Sequence, residues 1–416
     1  GGVGGPDIDA LRFRTRQHAA GGQQHKAAGA RATDAPLLPR DLTPDEHIKI
    51  ALTLTHPFDD GEMTGELDHL FAVEGAARLG PDAGAWRNEV WGHFRRLAKA
   101  CSELDAHARS LRTAQHVKGK APWLFAIIIS AMRWHDTSLP LDSVLGFRLF
   151  GAVPPSGVLR SLDPMKLPDM SGDDMRQQLL DTSELYVDTL EGDLRVHPEA
   201  ETILKETLAE IELGLLAPLI SREQVDALFG RGKWRPIPRH IVHQNGKDRP
   251  IDDGRAGGQN EASRLLETIA TQCTEFVVLS ASAYCRIVVR LGGGRLPVWV
   301  ILTQGLDDQW KGYRQDHPHP DDAPFCVITF VHPHTGLRVY CVARGMLFGL
   351  AASVNQFNRA PLLVTALFRR AFALLYGHYF DDNACVDLMP LAAVSKALTI
   401  RVMTLLGIKL SPTKRH

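Results

Sequence analysis

Between residues 46 and 165 apolar positions recur with helical period, as in AWRNEVWGHFRRLAKACSEL at 85–104. The run WLFAIIISAM, Trp123 to Met132, is too short to span a bilayer and reads as a buried helix or strand. The stretch 147–159 (FRLFGAVPPSGVL) is loop-rich. A well-marked helix is predicted over about 198–216, with Pro198 in its first turn and Leu204, Leu208, Ile211 and Leu215 on one face. A second helix follows, with Ser221 and Gln224 at capping-box spacing and Gly230 as its stop.

From residue 231 the pattern changes. RGKWRPIPRHIVHQNGKDRPIDDGR carries seven Lys/Arg against three Asp, with Trp234 and short β-like runs, and reads as an extended basic hairpin. After 296 an apolar strand, PVWVILTQGL, leads to Asp307 and Asp308. Strand-like runs follow at 325–331 and 337–343. Next comes a helix over about 353–376, with Val364, Phe368, Phe372 and Leu375 on one face and Pro361 expected to kink it. YFDDNACVDL, a helix over 390–406 ended by Gly407, and a terminal strand IKLSP complete the chain. This β-β-β-α-β-β-α-β order predicts an α+β fold with helices on one face of an antiparallel sheet.

Composition narrows the function classes. The 416 residues are 44% hydrophobic and 23% charged, enough for two or three domains with cores. The net charge of −1 means that nucleic-acid binding must come from local basic patches. Residues 1–45 carry six Lys/Arg among Gly, Ala and Gln and read as a disordered tail. The six cysteines form no CxxC pair, which argues against a zinc knuckle or a disulfide framework and for a reducing compartment, cytoplasm or nucleus. No signal-peptide or transmembrane pattern is read.

The candidate chemistry lies in carboxylates. Tyr379-Phe380-Asp381-Asp382 falls where a β-hairpin turn is expected, and adjacent carboxylates there are costly unless a cation neutralises them. Two-metal phosphoryl or nucleotidyl transfer uses such a site, with ions roughly 3.5–4 Å apart. It needs carboxylates from separate strands, and Asp308, 73 residues earlier at a strand end, is the natural partner. Mg²⁺ takes oxygen ligands and keeps several waters, so two or three carboxylates with substrate phosphates suffice. Asp-Asp pairs are ordinary in turns, and this chain has others at 59–60, 173–174, 252–253 and 321–322, so context carries the argument.

That context resembles a family. YFDD looks like the YxDD box of reverse transcriptases, and DDQWKGYRQ at 307–315 resembles their first acidic motif. LFGLAASVNQFNR at 347–359, GKDRPIDDGRAGGQN at 246–260 and LGIKLSPTK at 406–414 resemble three further segments of the family, in its order. The closest flavour is that of a retrotransposon.

The resemblance implies a right-hand polymerase: fingers and connecting helices over 166–300, a palm over 301–416 and no thumb, so that the chain reads as a fragment. The helical region 46–165 has no assigned role, and no RNase H or integrase segment is read. Asp308, Asp381 and Asp382 would be catalytic and hold two Mg²⁺ (Mn²⁺ being an alternative). Lys247 and Arg249 would grip the incoming dNTP, for which the planar fork of arginine is well suited. Asp253 and Arg255 would brace the fingers hairpin. Phe348 and Gly349 would lie under the nucleotide sugar or template base, with Gly permitting close approach. Lys414 would stand near the triphosphate, and Tyr313 would be the sugar gate that selects deoxynucleotides over ribonucleotides. Partners would be a primed RNA or DNA template and dNTPs.

Strand direction and the spacing to Tyr313 favour Asp308 over Asp307. The rivals are a catalytically decayed copy that binds nucleic acid, and an RNA-dependent RNA polymerase, which Tyr313 disfavours. The glycine-rich LGGGRLP at 291–297 lacks a phosphate-loop pattern, and the pairs His317/His319 and His332/His334 read as loop histidines.

Overall fold

The computed structural model describes residues 64–110, 119–163, 165, 167, 169–244, 246–269 and 275–412. The expectations for the tail 1–45 and for Lys414 lie outside these residues.

The upstream region is helical: α1 (Thr64–Leu79), α2 (Ala83–Ser110), α3 (Pro122–Met132) and α4 (Leu139–Leu145). Helix α2 buries Trp86, Val90, Phe94, Ala98 and Cys101, one apolar stripe at three- and four-residue intervals. Helix α3 takes Pro122 at its start, where a missing N–H costs nothing, and buries Leu124, Phe125, Ile128, Ile129 and Met132. The apolar run at 123–132 is thus a core helix.

Two short strands follow, β1 (Gly151–Ala152) and β2 (Arg160–Ser161), then helices α5 (Gly172–Asp181), α6 (Ser183–Gly192), α7 (Ala200–Glu212) and α8 (Arg222–Phe229). The capping box of Ser221 and Gln224 is formed on α8, and Gly230 ends it at φ 90°. Helix α7 is shorter than predicted and its inward face differs. Ile203, Leu204, Thr207 and Glu210 are buried, whereas Leu208 is 48% exposed. Thr207 and Glu210 turn inward because they bind buried arginines, which a search for leucine periodicity cannot detect.

The remaining elements are β3 (Pro236–Gln244), β4 (Lys247–Asp252), β5 (Ser263–Arg264), β6 (Glu267–Thr268), α9 (Glu275–Leu291), β7 (Leu302–Asp308), β8 (Val327–Val331), β9 (Arg338–Val342), α10 (Ala351–Phe372), β10 (Leu375–Tyr379), β11 (Asp382–Leu388) and α11 (Ala392–Leu406). The fold is α+β. The expected single antiparallel sheet is instead two sheets. Strands β10, β11 and β7 form an antiparallel sheet in that order. Strands β4, β3, β8 and β9 form a second sheet, in which β3 and β8 run parallel with Pro236 opposite Val327. The reason lies in β8, whose five residues VITFV are all buried. A strand covered on both faces takes a central place, here between β3 and β9. The basic hairpin β3–β4 therefore shares a sheet with strands that the sequence placed beyond residue 300. The terminal strand reduces to one bridge, Leu410 opposite Gln309.

Helix α10 ends at Phe372, four residues before the expected point. Ala373 takes a left-handed conformation (φ 46°), and Leu375 belongs to β10. The helix runs as one element through Pro361. Among the described residues, one stretch, Met389–Leu406, is long and apolar enough to cross a membrane. Its Leu398, Val402, Met403 and Leu406 lie in the main hydrophobic core. Beyond its end, a Cβ on Gly407 (φ 74°) would fall 1.8 Å from the Gly119 carbonyl oxygen, so only glycine fits.

Buried ion pairs fasten the upstream region to the sheet of β7, β10 and β11 and to helix α10. Arg87 on α2, fully buried, donates to Asp387 at 2.6 Å and to the carbonyls of Phe372 and Ala373. Arg370 pairs with Asp68 at 2.7 Å, and Arg359 pairs with Asp136.

Candidate active site

The acidic end of the sheet follows from strand alternation. Successive side chains on β7 point to opposite faces, and register places Asp308 opposite Asp382 and Asp307 opposite Asn383. Asp308 and Asp382 therefore share one face with Leu306 and Ala384. Asp307 shares the other with Asn383, His378, Tyr376 and Cys385. Tyr376, His378 and Asn383 are buried, so this is the covered side; burial, and then the charge of Asp307, holds the Tyr376 hydroxyl well above its usual range. Thr365 on α10 meets His378 on this same covered face, and burial lowers the His378 pKa to about 3.

Strands β10 and β11 are joined by a tight turn at Phe380 and Asp381. Phe380 adopts φ 53°, a conformation that aromatic residues rarely take and that concentrates at functional turns. The turn is pinned from just beyond β7, where the Gln309 N–H donates to the Asp381 carbonyl at 2.8 Å. The Asp381 side chain leans over Gly312, where a Cβ would come within 3.5 Å of its carboxylate oxygen. Asp308 ends β7, Asp382 opens the neighbouring β11, and Asp381 lies in the turn between β10 and β11, all at one end of the sheet. The donor set is all carboxylate oxygen, which fits a hard divalent cation such as Mg²⁺. Among the described residues, no three His, Cys, Asp or Glu side chains are drawn into a metal-ligand group.

Residues 309–315 are held by their neighbours. Trp310 N–H donates to the Lys409 carbonyl, and the Gln315 side-chain amide both donates to that carbonyl at 3.0 Å and accepts from the Lys409 N–H at 2.7 Å. Ser411 N–H donates to the Asp308 carbonyl at 2.7 Å. Gln315, the last residue of DDQWKGYRQ, thus clamps the segment after α11 against the end of β7. Tyr313, half-buried, sits 5.0 Å from the Phe348 ring and 4.9 Å from Phe357. Its neighbour Gly312 lies against the Asp381 side chain, and burial, followed by Asp381 and Tyr379, pushes the Tyr313 hydroxyl up to about 12.

Gly349 is required, for a different reason from the one the sequence suggested. It has φ 96°, and a Cβ there would meet the Asp252 carbonyl oxygen at 2.0 Å. The close approach is made by the end of β4 rather than left open for a nucleotide. Asp252 N–H donates to the Phe348 carbonyl, and Asn260 bridges the Gly349 carbonyl and the Ala351 N–H. The root of the hairpin is thereby fastened beside Tyr313. Lys247 and Arg249, both exposed, lie on β4 and alternate with Asp248, so they face away from the side taken by Asp252.

Bracing of the hairpin falls chiefly to a residue the sequence did not single out. Asp253 accepts the N–H groups of Arg255 and Ala256, which closes the loop backbone, while the Arg255 side chain is exposed. Asp252 is fully buried and receives Arg239 at 2.8 Å and Arg314 at 2.9 Å. Burial works against its charge, yet Arg239 and Arg314 hold its carboxyl below the usual range. Glu210 completes the cluster, 3.0 Å from Arg239 and 3.2 Å from Arg314. Two of the seven basic residues in the hairpin region are thus structural: Arg239, and Arg235 stacked 3.9 Å from the Tyr186 ring centroid.

Comparison of the sequence with protein-family models and with characterised proteins finds no match.

Proposed function

We propose that the chain is the fingers-and-palm part of a retroelement-type reverse transcriptase, a template-directed DNA polymerase of right-hand architecture. What supports this reading is the register that sets Asp308 opposite Asp382 at one sheet end, with Asp381 in the adjoining turn over Gly312, the neighbour of Tyr313. In this reading those carboxylates hold two Mg²⁺, which when bound activate the primer 3′-OH and stabilise the leaving pyrophosphate. The chain's own residues supply position. Asp308 and the pinned turn keep the carboxylates in fixed register, Arg249 and Lys247 grip the triphosphate, and Tyr313 with Phe348 flanks the sugar. Catalysis is then orientation plus electrostatics.

A second reading is a catalytically silent relative that binds nucleic acid. It keeps the same fold and the same exposed cations, Lys247 and Arg249. Primer extension on RNA and DNA templates, with dNTPs against NTPs and with and without Mg²⁺, separates the two. Extension with dNTPs supports the polymerase. Primer–template binding without extension supports the silent relative, and neither binding nor extension overturns both.

A further inference from the structure

Among the described residues, one charged cluster is fully enclosed and touches both halves of the candidate nucleotide site. Arg239 comes from β3, Asp252 from the end of β4, Glu210 from α7, and Arg314 from the residue after Tyr313. Their side chains are at most 4% exposed. Two cations and two anions make the cluster neutral, so each member is compensated only while the others stay in place. Arg314 also lies 5.7 Å from the centre of the Phe348 ring, which itself packs on Tyr313. Asp252 reaches the same ring through its backbone, since its N–H donates to the Phe348 carbonyl and its own carbonyl fills the space over Gly349.

Three residues along β4 from this anchor is Arg249. Asp252 is therefore the point where the strand carrying Lys247 and Arg249 meets the aromatic pair Tyr313 and Phe348.

We propose that Asp252 is a positioning residue, which through Arg314 sets the distance between the hairpin cations and the Tyr313–Phe348 pair, and so sets the affinity and sugar selectivity for a nucleoside triphosphate. This rests on the polymerase reading. The physical reason is that a triphosphate held at one end and a sugar packed at the other fit only one separation. Asp252→Asn keeps the shape but leaves the cluster with an excess positive charge, so Arg314 and the Phe348 segment move apart from β4.

The test is steady-state primer extension with dNTP and NTP, alongside thermal melting. Asp252→Asn is expected to raise the dNTP KM about tenfold and to narrow the dNTP/NTP preference, with kcat within about threefold, as expected when ground-state binding is lost. Arg314→Lys, which keeps the charge but not the fork, should fall between wild type and Asp252→Asn. A merely structural role would lower the melting temperature and the active fraction equally for both nucleotides and leave KM unchanged. That result, with a wild type that extends primers, overturns the inference alone. Should Asp252→Asn fail to fold, Glu210→Gln, which leaves Asp252 with both arginines, carries the test with an expected KM rise of about threefold. A wild type that does not extend primers at all overturns the polymerase reading, and this inference with it.

Discussion

Two aspartate doublets at strand ends, Asp252–Asp253 and Asp307–Asp308, look alike in sequence and are used differently. In each, strand alternation sends the carboxylates to opposite sides. Asp252 turns inward to two arginines, while Asp253 stays at the surface and closes a loop. Asp307 turns to the covered face of its sheet, and Asp308 turns to the face it shares with Asp382 across the strand pair. The doublet itself says nothing about role. Register decides it, and so does what the fold places opposite.

The largest effect expected from this comparison is catalytic. On the proposed polymerase reading, Asp308→Asn or Asp381→Asn should lower primer extension by about a thousandfold or more, since a lost carboxylate removes electrostatic stabilisation of the reacting phosphate. Asp307→Asn should retain activity within about tenfold, because its carboxylate lies on the other face. Equal losses at 307 and 308, measured with matched active-site concentrations, would break the comparison and the register that underlies it.

The same contrast runs along β11, which carries Asp382 at one end and Asp387 at the other. Arg87→Met strands the buried Asp387 and should destabilise the fold by about 3–5 kcal/mol in urea denaturation. Asp382→Asn should move stability by less than about 1 kcal/mol, as expected for an exposed side chain. A stable Arg87→Met variant would mean that α2 does not hold the sheet in place.

Tyr313→Ala sharpens the picture on the nucleotide side. Steric exclusion is a clash, so removing the ring should relax dNTP over NTP preference by roughly tenfold to a hundredfold while dNTP extension persists. An unchanged preference would remove Tyr313 from the sugar contact, and with it the spacing argument for Asp308.

Much of this was legible in the sequence wherever the signal is local. Ser221, Gln224 and Gly230 announce helix α8 because a capping box and a glycine stop lie within ten residues. The acidic turn announces itself because YFDD sits between an apolar helix and an apolar run, where a hairpin turn is expected. What stayed hidden depends on partners far away in the chain. The contact between Arg314 and Glu210 spans 104 residues, so nothing near Asp252 marks it as buried. The inward face of α7 was misread at Leu208 because the cluster claims Thr207 and Glu210. Strands β8 and β9 look like any apolar alternation, and only the buried length of β8 assigns them to the hairpin's sheet. The need for glycine at 349 was readable, but the Asp252 carbonyl that imposes it was not.

The smallest expected effect tests the surface member of the first doublet. Asp253 accepts two backbone N–H groups, at 3.1 Å from Arg255 and 2.9 Å from Ala256. These groups lie at a partly exposed loop, so water can replace the lost acceptor. Asp253→Ala should therefore cost about 1 kcal/mol of stability, the net worth of a solvent-accessible hydrogen-bonded turn. Its effect on dNTP KM should stay within about twofold, because the anchor at Asp252 remains intact. Asp253→Asn should restore most of the stability, since the amide oxygen still accepts from the same N–H groups. Urea denaturation and primer extension on the two variants provide the comparison. If Asp253→Ala instead raised KM as far as Asp252→Asn, both carboxylates of the doublet would position the hairpin. Alternation would then no longer separate a structural member from a surface one.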